Sequence, residues 1–194
     1  MSCWVVIPVK APSAAKGRLA GVLDHAARVA LARAMLDRVT TAVLAADGVD
    51  GLALIGPERL GQPDTIELLA DPGRGLNPAL AFARDVMAAR GASRVVTLAG
   101  DLPLITPADV EALCRLPFGA MGIAPDRHGT GTNALSLPLP AALDLRLSYG
   151  PGSCDAHRAE AARLGLRLEV LATPGLSRDV DEASDLGDAS ALKT

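Results

Sequence analysis

A chain of 194 residues is the size of one ordinary domain, and its 49% hydrophobic but only 2% aromatic composition leaves Ala, Leu and Val to fill the core, which favours α/β layers over a β-sandwich. With 19 Lys and Arg against 22 Asp and Glu, the net charge of -3 excludes a general nucleic-acid binder, so any anion site has to be local. The widely spaced Cys3, Cys114 and Cys154 read as reduced packing thiols, no charged leader precedes an apolar run, and no apolar stretch nears the roughly 18 residues that span a bilayer, so the expectation is a cytoplasmic enzyme with no membrane partner.

The chain opens on an apolar strand, Trp4 to Val9, followed by a loop from Lys10 to Leu19 that carries Lys10, Lys16 and Arg18. Asp24 is placed as an N-cap, and Ala27, Leu31, Met35, Val39 and Val43 recur at helical spacing to about Ala46. A second strand spans Gly51 to Ile55, and a short apolar piece lies around Ile66 to Leu69. The glycine-rich loop from Asp71 to Asn77 leads into a helix from about Pro78 to Arg90. Val95 to Ala99 then forms a strand without polar alternation, as expected where helices cover both faces of a parallel sheet, and Gly100-Asp101-Leu102-Pro103 ends it.

Thr106-Pro107 starts another helix, which runs to about Arg115. Gly119 to Ala124 and Asn133 to Leu137 are strands around a turn-rich loop, as a hairpin or an antiparallel excursion. A helical piece follows near Ala141 to Leu147, then the loop Tyr149 to Ser153, a helix to about Leu164, a last strand from Arg167 to Leu171, and Asp179-Val180-Asp181 ahead of a short acidic terminal helix. With no internal repeat or linker, residues 1–194 form a single domain: a mostly parallel central sheet with helices on both faces.

Ligands of open α/β sheets collect beyond the carboxyl ends of the strands, so Asp101 is either a turn residue or a ligand at that edge. Asp179 and Asp181 flank Val180, so in extended backbone both carboxylates point to one side; with Asp101 they make a hard-oxygen set suited to Mg²⁺, whereas Asp181 alone also fits a helix cap. Lys10, Lys16 and Arg18 follow the first strand, where they either neutralise a nucleotide's phosphates or lie on a solvated surface. The loops Gly129 to Asn133 and Gly150 to Ser153 combine glycines with hydroxyls, as ordinary turns or as anion nests. His157, one turn after Ser153, either touches the same ligand or sits on the helix surface, the plainer reading.

In order along nearly the whole chain, Ile7-Pro8-Val9-Lys10, Ala15-Lys16-Gly17-Arg18-Leu19, Gly75-Leu76-Asn77, Gly100-Asp101-Leu102-Pro103, Gly131-Thr132-Asn133-Ala134-Leu135, Tyr149-Gly150-Pro151-Gly152-Ser153 and Asp179-Val180-Asp181 closely resemble the CofC/FbiD guanylyltransferases of coenzyme F420 biosynthesis. The resemblance implies a nucleotide-diphosphosugar-transferase-like, Rossmann-like fold. It also implies a Mg²⁺-dependent transfer of GMP from GTP to a small phosphorylated carboxylate, namely 2-phospho-L-lactate, phosphoenolpyruvate or 3-phospho-D-glycerate, with release of pyrophosphate. By matching positions, Thr132, Gly150 and Ser153 would hold the acceptor, and Asp101, Asp179 and Asp181 the metal. Lys10, Lys16 and Arg18, with Gly75 and Asn77, would face the nucleotide, and Lys10, Lys16 and Asp101 would be catalytic.

The implied partners are GTP, the acid and a downstream F420-pathway transferase, and a homodimer is compatible with the reading. Tyr149 departs from the Phe expected in many relatives, and Ala99 from a Pro-Ala-Asp motif, which leaves the acid's identity open. Two rivals stand beside this reading. Another nucleotidyltransferase of the fold, such as a molybdenum-cofactor or sugar-phosphate cytidylyltransferase, would open with a glycine-rich loop where Pro8-Val9-Lys10 stands; a catalytically silent nucleotide-binding module would not need all three aspartates.

Overall fold

The computed structural model describes residues 2–193. Its strands are β1 (Cys3–Pro8), β2 (Gly51–Gly56), β3 (Glu67–Ala70), β4 (Arg94–Leu98), β5 (Ala120–Pro125), β6 (Thr132–Pro138) and β7 (Arg167–Val170). The α-helices are α1 (His25–Ala45), α2 (Leu76–Ala89), α3 (Pro107–Cys114), α4 (Ser153–Arg163) and α5 (Pro174–Ser177). All strands join one sheet in the order β3-β2-β1-β4-β6-β5-β7. The pairings of β1 with β2 and β4, of β2 with β3 and of β5 with β7 are parallel; β6 runs antiparallel to both β4 and β5. The mostly parallel α/β architecture expected from the sequence is therefore present, with β6 as the reversed strand.

Residue alternation in β1 sends side chains to two cores. Val5 and Ile7 pack with Leu36, Val39 and Val43 of α1, whereas Val6 packs with Leu80, Ala83 and Met87 of α2. Each fully buried aliphatic side chain contributes about 1.5–3 kcal/mol, and both faces are covered, which is why the strands carry no polar alternation. A third cluster joins Met121, Ile123, Leu135 and Leu137 to Cys154 and Ala161 of α4.

The helix starts follow their caps. Asp24 accepts from Ala27 N at 2.8 Å ahead of α1, and Thr106 with Asp109 forms a capping box ahead of α3. Asp109 also accepts the hydroxyl of Thr173, the residue that caps α5. Gly175 permits this close fit, because a Cβ there would lie 2.1 Å from Asp109 Oδ2. The helix α5, absent from the sequence expectation, is thus fastened to α3 and delivers residues 178–181 to the end of β4.

One expectation needs correction, and the expected terminal helix takes a tighter form. Residues 139–144 make turns instead of a helix. Leu143 N donates to Pro140 O at 3.0 Å and Leu145 N to Ala142 O at 3.2 Å, and Arg84 Nη1 holds this turn by donating to Leu145 O at 2.7 Å and to Ala142 O at 3.4 Å. The terminal segment Ala183–Lys193 winds as 3₁₀ turns.

The strand order reverses beside β1: the chain passes from β1 to β2 on one side, while β4 lies on the other. The crevice beyond the carboxyl ends of β1 and β4 is therefore the topological switch point, where open α/β sheets bind ligands.

Candidate active site

Two loops enter this crevice directly. After β1, two 3₁₀ turns, Pro12–Ala14 and Gly17–Gly21, bracket Lys16, whose backbone is left-handed at φ 46°. After β4 comes Asp101. Lys16 Nζ pairs with Asp101 Oδ2 and lies 3.4 Å from Asp181 Oδ1, and Arg18 Nη1 is 2.9 Å from Asp181 Oδ2. Lys16 is nearly enclosed, with 9% of its side chain exposed. Burial alone would lower its pKa, but the carboxylates of Asp101 and Asp181 more than offset that, and the ammonium is held above the usual lysine range. Lys10 is exposed and forms no ion pair among the described residues.

The segment after α5 supplies the other carboxylates. Val180 is fully buried, and its N–H donates to Asp101 O at 3.3 Å, so Asp179 and Asp181 emerge on either side of an anchored residue. Asp179 Oδ1 accepts from Asn133 Nδ2 at 3.3 Å, and the same amide donates to Leu176 O at 3.0 Å. Burial raises the Asp179 pKa, and the negative charge of Asp101 raises it further. A desolvated carboxylate repelled by its neighbours favours a cation beside it.

The donor set fits a divalent metal in its chemistry, since hard cations take carboxylate oxygens and an ammonium already sits between two of these aspartates. Among the described residues no three acidic, imidazole or thiol side chains close into one coordination sphere. The expected ligands share one edge, then, and Lys16 faces their charges.

The residues expected at the acceptor come from β6 and from the loop ahead of α4. Thr132 and Asn133 begin β6, with Asn133 O accepting from Ala99 N at 2.8 Å just ahead of Asp101. Gly150 and Gly152 adopt φ 134° and 72°, backbone that a side chain would strain, and this turn leads into Ser153 at the start of α4. Ser153 N donates to Gly150 O at 3.1 Å and Cys154 N to Thr130 O at 3.0 Å, so the two glycine-rich loops predicted from sequence are tied to each other.

The contacts of several of these residues were hidden in the sequence. His157 is wholly buried instead of lying on the helix surface: its Nδ1 is 3.0 Å from Thr132 Oγ1, and Ser148 N donates to its Nε2 at 2.9 Å. Burial drives its pKa down to about 4, so the ring is neutral near pH 7. Tyr149 meets the His157 ring edge-on at 5.0 Å and its hydroxyl lies 2.5 Å from Thr97 Oγ1. Asn77, expected at the nucleotide, uses both ends of its amide on the Tyr149 backbone, accepting from N at 2.6 Å and donating to O at 3.1 Å, while Gly75 is its exposed neighbour ahead of α2.

Asp185 accepts from the N–H groups of Asp181 and Glu182 at 2.9 and 2.8 Å and pairs with Arg127, fixing the acidic segment from behind. A concavity of about 570 Å³ along α1, lined by Pro12, His25, Val29 and Arg33 among others, holds none of these residues.

The chain is similar to known proteins over nearly its whole length. Residues 3–190 match the family described as "Guanylyl transferase CofC like". The phosphoenolpyruvate guanylyltransferase of Conexibacter woesei is 41% identical over 198 residues, covering 96% of this chain and 86% of that protein. The protein of the same name from Sphaerobacter thermophilus is 38% identical over 195 residues, covering 96% and 91%.

Among solved structures, a proposed nucleotide-diphospho-sugar transferase from Desulfovibrio desulfuricans G20 superposes with a TM-score of 0.79 at 20% identity, covering 96% of this chain and 85% of that one. Rv0371C from Mycobacterium tuberculosis H37Rv, solved in complex with manganese, superposes with a TM-score of 0.60 at 18% identity, covering 100% and 99%. At these identities the structures establish a shared nucleotidyltransferase fold. No described helix is long and apolar enough to cross a membrane.

Proposed function

Because the chain belongs to the CofC-like guanylyl transferase family, we propose that it transfers GMP from GTP to the phosphate of phosphoenolpyruvate, releasing pyrophosphate, as a cytoplasmic step of coenzyme F420 biosynthesis. The acid is the one carried in the names of the relatives that are 41% and 38% identical. A phosphate oxygen of the acid attacks the α-phosphorus of GTP, a new P–O–P linkage forms, and the bond to the β-phosphate oxygen breaks. The nucleophile is already anionic near neutral pH, so no general base is needed, consistent with a site whose one buried histidine is neutral and engaged on both ring nitrogens.

What remains for the protein is alignment and relief of repulsion between two polyanions. Asp101, Asp179 and Asp181 would hold Mg²⁺. When bound, that ion supplies positive charge to phosphate oxygens and stabilises the charge of the transfer. Lys10, Lys16 and Arg18 are the cations nearest the mouth of β1 and face the triphosphate. Gly75 lies at the N-terminus of α2 on the nucleotide side, and Asn77 shapes that side by fixing the Tyr149 loop.

Thr132, Gly150 and Ser153 receive the acid. One observation carries this division of labour: adjacent residues of β6 point to the two halves, Asn133 bonding Asp179 and Thr132 meeting His157. The activated acid is a mixed phosphoric anhydride, so a downstream transferase is expected to consume it.

The test is a matrix of GTP, ATP and CTP against phosphoenolpyruvate, 2-phospho-L-lactate and 3-phospho-D-glycerate with Mg²⁺, read by mass spectrometry. The expected product is guanylylated phosphoenolpyruvate with one pyrophosphate per turnover. No nucleotidylated acid in any cell of the matrix would overturn the reading, and a product from another acid would reassign the acceptor alone.

A further inference from the structure

We propose that His157 is a positioning residue that acts through Thr132: it fixes the Thr132 hydroxyl as a hydrogen-bond donor and so tunes the acceptor pocket for an anionic oxygen. The inference rests on the assignment of Thr132 to the acceptor site. It starts from a constraint on the imidazole. A backbone N–H cannot be rotated or deprotonated, and Ser148 N–H points at Nε2 from 2.9 Å. That nitrogen must therefore present its lone pair.

The other tautomer would set two N–H groups against each other in a wholly buried place and leave an amide unsatisfied. The doubly protonated ring is opposed by burial; the nearby carboxylate that favours it, Glu160, is itself engaged by Arg163 and by Arg146 N. The single proton of the neutral ring thus belongs on Nδ1.

From Nδ1 the direction of the next bond follows. Nδ1–H donates to Thr132 Oγ1 across 3.0 Å, which occupies the hydroxyl as an acceptor. The hydroxyl hydrogen has no partner among the described residues and remains for a ligand. A hydroxyl polarised in this way is a good donor to a carboxylate or phosphate oxygen.

The rest of the surroundings hold the relay in place. The Asn77 amide pins the Tyr149 backbone, so Ser148 N–H cannot swing away, and the Tyr149 ring packs against the imidazole edge. A backbone amide, a histidine and a threonine hydroxyl form a chain with one polarity, ending at the proposed acceptor.

Two measurements test it. In protein with ¹⁵N-labelled histidine at neutral pH, long-range ¹H–¹⁵N spectra should show His157 protonated at Nδ1 and bare at Nε2; a proton on Nε2 would overturn the proposal without any substitution. The second is a double-mutant cycle on the acid's KM, with GTP's KM and the melting temperature followed in parallel. Thr132→Val should raise the acid's KM by about tenfold to a hundredfold, as expected for losing a donor to a charged group, with GTP's KM unmoved.

His157→Gln, whose amide oxygen can still accept from Ser148 N–H but does not reach Thr132, should raise the acid's KM by about tenfold, whereas His157→Asn, which restores a donor at the Nδ1 position, should stay within about threefold of the parent. In the Thr132→Val background neither His157 change should add anything. Independent, multiplying effects, or equal losses for the Asn and Gln variants, would overturn the role of His157 alone. An unchanged acid KM in Thr132→Val would overturn the assignment of Thr132 to the acceptor site, and this proposal with it.

Discussion

Replacing Lys16 by Met removes the cation that stands between two carboxylates while keeping a side chain of similar length. The lysine side chain is 9% exposed, Asp101 27% and Asp181 45%, so the contact with Asp101 lies nearer the buried limit and that with Asp181 nearer the exposed one. Breaking a buried pair costs about 3–5 kcal/mol, and exposed pairs are worth about 0–1 kcal/mol. Between those limits a loss of about 2–3 kcal/mol is expected, a drop of roughly 5–10 °C in melting temperature for a domain of this size.

The left-handed backbone at residue 16 adds to the effect, because a non-glycine residue at φ 46° persists only while its surroundings hold it. With Asp101 and Asp181 left facing each other and Asp179, a divalent cation becomes the remaining source of neutralisation. Thermal unfolding monitored by circular dichroism with and without millimolar Mn²⁺ reads both effects. The variant should lose stability without the cation and gain more from it than the parent, whose lysine competes for the same oxygens. An unchanged melting temperature in Lys16→Met, or equal gains from Mn²⁺ in parent and variant, would refute the reasoning.

Asp101→Asn should reduce pyrophosphate release by at least about a hundredfold and lower the melting temperature by less than Lys16→Met does, because the amide oxygen still accepts from Lys16 and Asp181 remains beside it; ordinary turnover would remove Asp101 from the metal set. The buried imidazole gives a pH dependence with a definite sign. The His157 pKa falls from 6.5 to about 4 on folding, so its contribution is full above pH 6.5 and is lost as pH falls towards 4, by about 3 kcal/mol in all. Urea unfolding of the parent and His157→Asn between pH 7 and 4 should therefore diverge in slope over that window, and parallel curves would contradict it. Asp185→Ala should cost about 2–4 kcal/mol, since it orphans the N–H groups of Asp181 and Glu182 and the Arg127 guanidinium, and should weaken Mn²⁺ binding measured by calorimetry; unchanged Mn²⁺ affinity would show that the acidic segment holds its shape without it.

How far the site could be read in advance depended on whether its signals were local. The position of Asp101 was legible because an apolar run, a glycine and a proline mark a strand end within nine residues, Val95 to Pro103, and the positions of Lys16 and Arg18 after β1 were legible for the same reason, though not their pairing with Asp101 and Asp181. The parallel order was legible from the alternation of apolar runs with helical spacing, as far as β4. Asn77 and Asp185 were not legible in their observed roles, because their partners lie 72 and 58 residues away, at Tyr149 and Arg127, and no local pattern encodes such a pairing.

His157 had a signal that went unused. Cys154, His157 and Ala161 are all buried at spacings of three and four, one stripe of α4, and a histidine on that stripe belongs to the core even in a helix otherwise full of charge. The helix expected near 141–147 failed for the opposite reason. Its local propensity was adequate, but its N–H groups close turns onto Pro140 and Ala142, and Arg84, a residue of α2 distant in sequence, holds the Leu145 carbonyl.

The reversal of β6 is what joins the two halves of the proposed site. Parallel strands bring their carboxyl ends to the binding edge, so a parallel strand beside β4 would present Pro138 there and bury Thr132 at the far side. Because β6 runs against β4, with Leu98 opposite Ala134 and Arg94 opposite Pro138, its first residues arrive at the edge where Asp101 emerges. Successive residues of a strand point to opposite faces. Thr132 therefore turns toward α4 and His157, while Asn133 turns toward α5 and Asp179. One antiparallel strand thus places the proposed acceptor donor and the support of a proposed metal carboxylate one residue apart, on opposite faces of the sheet at a single edge. A displacement of β6 along β4 would move Thr132 and Asn133 together, so the proposed acceptor donor and the support of the proposed metal carboxylate stay in register with each other.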